Sequence, residues 1–548
     1  MEAKRPIGRQ FLFNAYRSYP LLMTPILRLA AGFSGLAPDL SASRKKAFDR
    51  LVLAGTVLGY AVLAARRLDV PVPGFDEIIY VPPALELLRH AREWPLMVNE
   101  YVGCPMTYLI APFIGFWGLS VATMRLPAIG VALAAVLIFL YLVSKIFPRL
   151  PLWAPAAACL LNSRFLITSR TGLYVDASIH WLLLSLTLLC LWNWSQTRRP
   201  LHAFLAFVCV GFGIYSKIIF VWFAFPAALA VASLSRRDGR AARASLAGLC
   251  ALGLLIGALP LVIHNVANEY ETVHIIGSSV FFSEDPSTAS NLSFLQNLET
   301  RSEHLLSFFT GDFEFTVGPV AGAYQFTSGP ARTLAGAVLL ILFAAAFFLF
   351  REKTQFTALA IAGSFIAALF VGSTITPSQR HPEHLYPILP LILLLSGVAL
   401  AKLIPGRLPL LLATALLALP QLRHFSAAMR DAAQSTDQRS PRALSSLSEF
   451  LSTAGITRPM TMDWGLSNPL LVASGGEVAP RNDLQDPPRF LKAGGMAVCL
   501  WKPAVLRPNR QGCDRLLRNR AFILGEIRKF PAAPERPVYA AIPVLGVR

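Results

Sequence analysis

The sequence predicts an all-α polytopic membrane domain of about 11 spans, followed by a small extracytoplasmic α/β domain. Three observations predict it. Of the 548 residues 54% are hydrophobic and only 15% charged, whereas a soluble domain keeps about a quarter of its residues charged. Apolar runs of membrane-spanning length, roughly 20 residues, recur from 51 to 422. Beyond 422 the pattern changes, and short apolar stretches at 460–464, 496–501, 522–527 and 538–542 alternate with Pro, Gly and polar residues, as in a small mixed fold.

The first 50 residues are basic (Lys4, Arg5, Arg9, Arg17, Arg28, Arg44, Lys45, Lys46, Arg50), and Arg17, Pro20 and Arg28 break their apolar stretches. They read as a cytoplasmic segment in which 11–33 lies along the interface as an amphipathic helix, with no cleavable signal. The expected units are therefore 1–50, a membrane domain at 51–422 and an outer domain at 423–548.

The expected spans are 51–65, 121–144, 150–168, 179–194, 201–216, 218–234, 246–263, 331–350, 355–372, 385–401 and 408–422. With the N-terminus inside, alternate short loops carry the positive charge: Lys145 and Arg149, then Arg198 and Arg199, the arginines at 236–243, Arg351 and Lys353, and Lys402 with Arg407. That alternation is the positive-inside pattern. It also accounts for much of the formal net charge of +19 without nucleic-acid binding. The run 104–118 is apolar but short, with Pro105 and Pro112 inside it. Counting it as a span would turn every later basic loop outward, so it belongs at the membrane edge of the first outer loop. Arg66 and Arg67 sit at the outer end of the first span against the rule.

Transporters concentrate ionisable residues in mid-span. Here the apolar runs are nearly free of charge, and the interesting charges collect at the outer ends of spans. Four clusters stand out. Asp76 and Glu77 open a helical turn after the first span, with Tyr80 on the Asp76 face; an acidic pair there suits either the helix dipole or a proton acceptor. Asp176 lies in a very short loop after Arg164 and Arg170, as a cap, a solvated charge or an acid. Lys217 is a lone cation between two spans, snorkelling or binding phosphate. Arg380, His381, Glu383, His384 and Tyr386 crowd one loop; HPEH is not the helical HExxH zinc motif, since Pro382 opposes that spacing. All four clusters fall on one membrane face. Acids and cations together suit a reaction in which an acceptor hydroxyl loses a proton and a phosphate departs.

On these residues, and on the blocks GCPMTYLIAPFIGFWGLSVATMRLP, SRTGLYVDAS, GIYSK and RHPEHLYPILP, the sequence resembles the GT-C superfamily of integral membrane glycosyltransferases. The resemblance points to the bacterial branch related to protein O-mannosyltransferases and to the lipid A aminoarabinose and galacturonic acid transferases. It implies an inverting transfer from a polyprenyl-phosphate sugar to a lipid, glycan or protein acceptor at the outer face of a bacterial cytoplasmic membrane. It makes Asp76 the base, with Glu77 and Asp176 also in the catalytic set. Lys217, Arg380, His381 and Tyr386 would meet the donor phosphate, and Tyr80, Arg170 and His384 the substrates. A divalent metal held by Asp76 and Asp176 stays open, because relatives differ in metal use. The alternative is a transporter or flippase of lipid-linked saccharides. Cys499 and Cys513, alone in the C-terminal domain, would pair if that domain faces an oxidising compartment.

Overall fold

The computed structural model describes residues 42–547 except positions 72, 74, 100, 237 and 351 and the segments 91–93, 172–175, 278–293, 311–312, 318–321, 327–329, 376–381, 435–440, 462–465, 483–494, 501–515, 518–521 and 534–535. The interfacial helix expected at 11–33, together with Arg380 and His381, lies outside the described residues.

Among the described residues, seven helices are long and apolar enough to cross a membrane: Ser43–Ala65, Val121–Ile146, Ala177–Thr197, Arg240–Gly257, Lys353–Ile375, His384–Leu403 and Arg407–Ala433. Pro105–Trp117, Pro200–Ser216, Ile218–Leu234 and Thr333–Leu349 are apolar but shorter. At a rise of 1.5 Å per residue, Pro105–Trp117 is about 20 Å long, less than the ~30 Å hydrocarbon core. Two expected spans differ in form. The run 150–168 is two eight-residue helices, Trp153–Leu160 and Ser163–Arg170. They part where the Asn162 side chain accepts from the amides of Arg164 and Phe165, an N-cap that starts a new helix. The run 246–263 likewise breaks between Arg240–Gly257 and Leu259–Ala267, where Pro260 stands in the first turn of the second helix.

The helices pack where side chains are smallest. A Cβ on Gly257 would lie 2.2 Å from the Val208 carbonyl oxygen, and one on Gly211 2.2 Å from that of Leu254. Only glycine lets Pro200–Ser216 and Arg240–Gly257 approach this closely, as small residues do in membrane interfaces generally. The segment His384–Leu403 forms the centre: 94% of its apolar window is buried, against 17% for Ser43–Ala65.

Two short strands, β1 (Met97–Asn99) and β2 (Val102–Gly103), pair antiparallel in the connection between Ser43–Ala65 and Val121–Ile146. A second hairpin joins β3 (Phe313–Val317) to β4 (Gly322–Phe326). The C-terminal region holds a mixed sheet of β5 (Met460–Thr461), β6 (Arg481–Asn482), β7 (Gly495–Leu500), β8 (Phe522–Leu524), β9 (Arg528–Ala533) and β10 (Arg536–Val547). Its order is β6-β5-β7-β10-β8, with β9 also on β10. β5 runs parallel to β6 and β7, whereas β10 is antiparallel to its partners. Helices Pro441–Thr453 and Ser467–Ala473 complete this α/β unit. Cys499 is disulfide-bonded; Cys513 lies outside the described residues. Helix Ser467–Ala473 rests on the short helix Phe75–Ile78, which follows Ser43–Ala65.

Candidate active site

The site is assembled by the ends of helices. Asp176 is the N-cap residue of Ala177–Thr197, but its side chain does not cap. Its backbone is left-handed (φ 56°, ψ 25°), a conformation rarely adopted by residues other than glycine and one that clusters at functional sites. The residue is wholly buried, and neither carboxylate oxygen makes a hydrogen bond of ordinary geometry. Lys217 is its charged neighbour, and the hydroxyls of Tyr80 and Ser216 face it. Burial pushes the Asp176 carboxyl up to about 7, against the opposite pull of Lys217 first and the two hydroxyls after it. A carboxyl so placed exchanges its proton near neutrality. Three expected site residues, Asp176, Lys217 and Tyr80, thus come together.

Lys217 ends helix Pro200–Ser216, where its extended backbone forms a bridge to Val102 of β2. Next to it, the Tyr215 hydroxyl donates to the Leu96 carbonyl (2.7 Å) and accepts from the Cys104 amide (3.2 Å). A Cβ on Gly103 would meet the Tyr215 backbone at 2.4 Å, so glycine is what lets strand β2 seat against the lysine.

Two expected residues are taken up by the scaffold. Glu77 accepts from Arg125 on both oxygens, at 2.6 Å each, with neither side chain exposed. Arg125 also donates to the carbonyls of Leu68 and Pro71. Both oxygens of the Glu77 carboxylate are thus engaged by Arg125, which ties this expected catalytic residue to helix Val121–Ile146. Arg170 donates to the carbonyls of Leu63, Ala64, Arg66, Arg67 and Val70. It closes the C-terminus of Ala42–Ala65, whose last carbonyls lack helical partners.

Asp76 stands in helix Phe75–Ile78, and its side chain lies outside the described residues. Tyr386 is buried; its hydroxyl bonds Arg164 at 2.8 Å, and its carbonyl accepts from the Trp181 indole at 2.7 Å. Trp181 is five residues past Asp176, roughly 7 Å along the helix. His384 is half-buried two residues before Tyr386.

Sequence reasoning passed over Arg125, Ser216 and His180. His180 lies one turn beyond Asp176, buried, with its Nε2 unpartnered and its ring 5.2 Å from that of Phe220. The available signal was an i, i+4 Asp/His pair at a helix start. Among the described residues no three His, Cys, Asp or Glu side chains stand together as a metal site. Among the described residues the charged neighbour of Asp176 is the Lys217 ammonium.

No protein-family model matches the sequence, and no curated protein matches it. Two solved structures share its architecture. ArnT from Cupriavidus metallidurans in the apo state aligns with TM-score 0.60 at 15% identity, covering 91% of this chain and 98% of ArnT. ArnT from the same organism bound to undecaprenyl phosphate aligns with TM-score 0.58 at 14% identity and the same coverage. The chain therefore shares the fold of these ArnT structures, a mostly helical domain with helices apolar enough to cross a membrane and a small C-terminal α/β region.

Proposed function

We propose that the chain is a glycosyltransferase that moves a sugar from a polyprenyl phosphate to a lipid, glycan or protein acceptor, with inversion, at the outer face of a bacterial cytoplasmic membrane. The observation that carries this reading is the buried Asp176 beside Lys217 under the first outer loop, in a fold whose relative ArnT was crystallised with undecaprenyl phosphate.

The chemistry follows from the groups. Asp76 accepts the proton of the acceptor hydroxyl, and the freed oxygen attacks the anomeric carbon on the face opposite the phosphate. The bond from that carbon to the phosphate oxygen breaks, and the phosphate leaves with its electron pair. Lys217, with Arg380 and His381, supplies the positive charge that a departing phosphate requires. Asp176 holds Lys217 in place, Glu77 and Arg125 fix the helix that bears Asp76, and Tyr386 borders the donor pocket. The disulfide at Cys499 suits an oxidising compartment and supports an outward C-terminal domain.

The test is Asp76→Asn in the purified full chain. Sugar transfer from a polyprenyl-phosphate donor is expected to be lost while donor binding persists. Undiminished transfer in that variant would remove Asp76 from the mechanism.

A further inference from the structure

Between the far ends of four helices lies a second site, unrelated to the first. Val121–Ile146, Ala177–Thr197, Lys353–Ile375 and the helix ending at Leu403, with Leu234 from the end of a fifth, line a cavity of about 240 Å³. Gln196, on its edge, is 20 residues along the helix from Asp176, or about 30 Å. The cavity therefore opens at the membrane face opposite the Asp176–Lys217 cluster.

Its interior is apolar and its lip is polar. Phe139, Leu188 and Leu394 are buried in the wall, whereas Gln196, Lys353 and Thr354 are exposed at the edge. Two more cations stand close by. Arg198 donates to the carbonyl of Leu234 at 2.8 Å, and Leu234 lines the cavity. Lys402 lies over the Phe350 ring, which packs at 4.5 Å on Phe147, another lining residue. Glu352 is exposed and does not line the cavity. Lys353 also opens a 23-residue helix, so the free amides and positive dipole end of its first turn share the lip.

An apolar slot with a cationic rim fits an amphiphile whose negative head stays at the interface. We propose that this cavity holds one acyl chain of an anionic phospholipid, with its phosphate at Lys353 and the N-terminus of helix Lys353–Ile375. The distal end of a prenyl chain is uncharged and would leave the rim unused. Basic pockets between spanning helices recognise anionic headgroups by this same pairing. The inference does not depend on the sugar-transfer reading.

Native mass spectrometry of the full-length protein, given equal phosphatidylglycerol and phosphatidylcholine of matched chains, tests it. Phosphatidylglycerol is expected to be retained about fivefold better, the worth of one cation near a membrane surface. Lys353→Glu should bring the two lipids to parity, and Ala358→Phe, which fills the cavity, should remove retention of both. If Ala358→Phe does not fold, the charge reversal decides alone. Equal retention by the wild type, or an unchanged preference in Lys353→Glu, overturns the proposal. So does displacement of phosphatidylglycerol by a long-chain polyprenyl phosphate but not by a short one, which gives the cavity to the carrier's tail.

Discussion

Arg125 closes on Glu77 with two hydrogen bonds of 2.6 Å, and water reaches neither side chain. The pair joins helix Val121–Ile146 to the short helix that carries Asp76.

Breaking one side of such a pair leaves a buried charge without compensation, at a cost of about 3–5 kcal/mol. Arg125→Met and Glu77→Gln should each lower the melting temperature sharply in detergent. Arg125→Met combined with Glu77→Leu should recover much of the loss, because an apolar replacement of the whole pair is often neutral or stabilising. A double variant as unstable as the sum of the singles would show that the two residues do not act as a unit.

Asp176 gives a signed pH dependence. Its carboxyl is raised from 3.8 to about 7 by burial, so the fold prefers the protonated form. The stability it contributes is complete below the unfolded value and is lost as pH rises through the folded one. Wild-type melting temperature should therefore fall across that window, and Asp176→Asn should flatten the fall. Lys217→Met should carry the decline to higher pH, since the ammonium is the largest influence holding the carboxyl down. Superimposable wild-type and Asp176→Asn profiles would contradict this.

Gly257 and Gly248 form a matched pair of tests on one helix. A Cβ at Gly257 meets the Val208 carbonyl oxygen at 2.2 Å, while nothing stands within 4 Å of one at Gly248. Gly257→Leu should abolish a monodisperse peak in size-exclusion chromatography; Gly248→Leu should leave it unchanged.

Tyr386→Phe removes the hydroxyl that Arg164 reaches at 2.8 Å. Hydrogen bonds to charged groups contribute about 1.5–3 kcal/mol, and the fold should lose that much by denaturant titration. The guanidinium remains 5.0 Å from the ring, so the loss should stop short of unfolding.

The membrane class was legible because apolarity is written locally: 54% hydrophobic residues in recurrent runs leave few other solutions. The break at Asn162 was hidden inside such a run, since a capping Asn costs little average hydropathy and its role depends on which amides it meets. The anchoring of Arg170 was hidden for a different reason. Its partners are backbone carbonyls about a hundred positions away, and backbone carbonyls have no residue signature. Asp176 and Lys217 stood out because an isolated charge at the edge of an apolar run needs a partner, and Tyr80 because it shares a helical face with Asp76. Glu77 looked equivalent to Asp76 until Arg125, an arginine within the next long apolar helix, was seen to hold it.

Helix Ser467–Ala473 of the C-terminal domain leans on Phe75–Ile78, and this couples two regions that the chain separates by almost four hundred residues. Shortening the protein from its C-terminus removes the neighbour that steadies the helix bearing Asp76. Activity lost on truncation would then report a loosened first loop as readily as a missing acceptor contact. Single substitutions on the Ser467–Ala473 face are the cleaner instrument, since they leave the sheet intact while changing only the pressure on that helix.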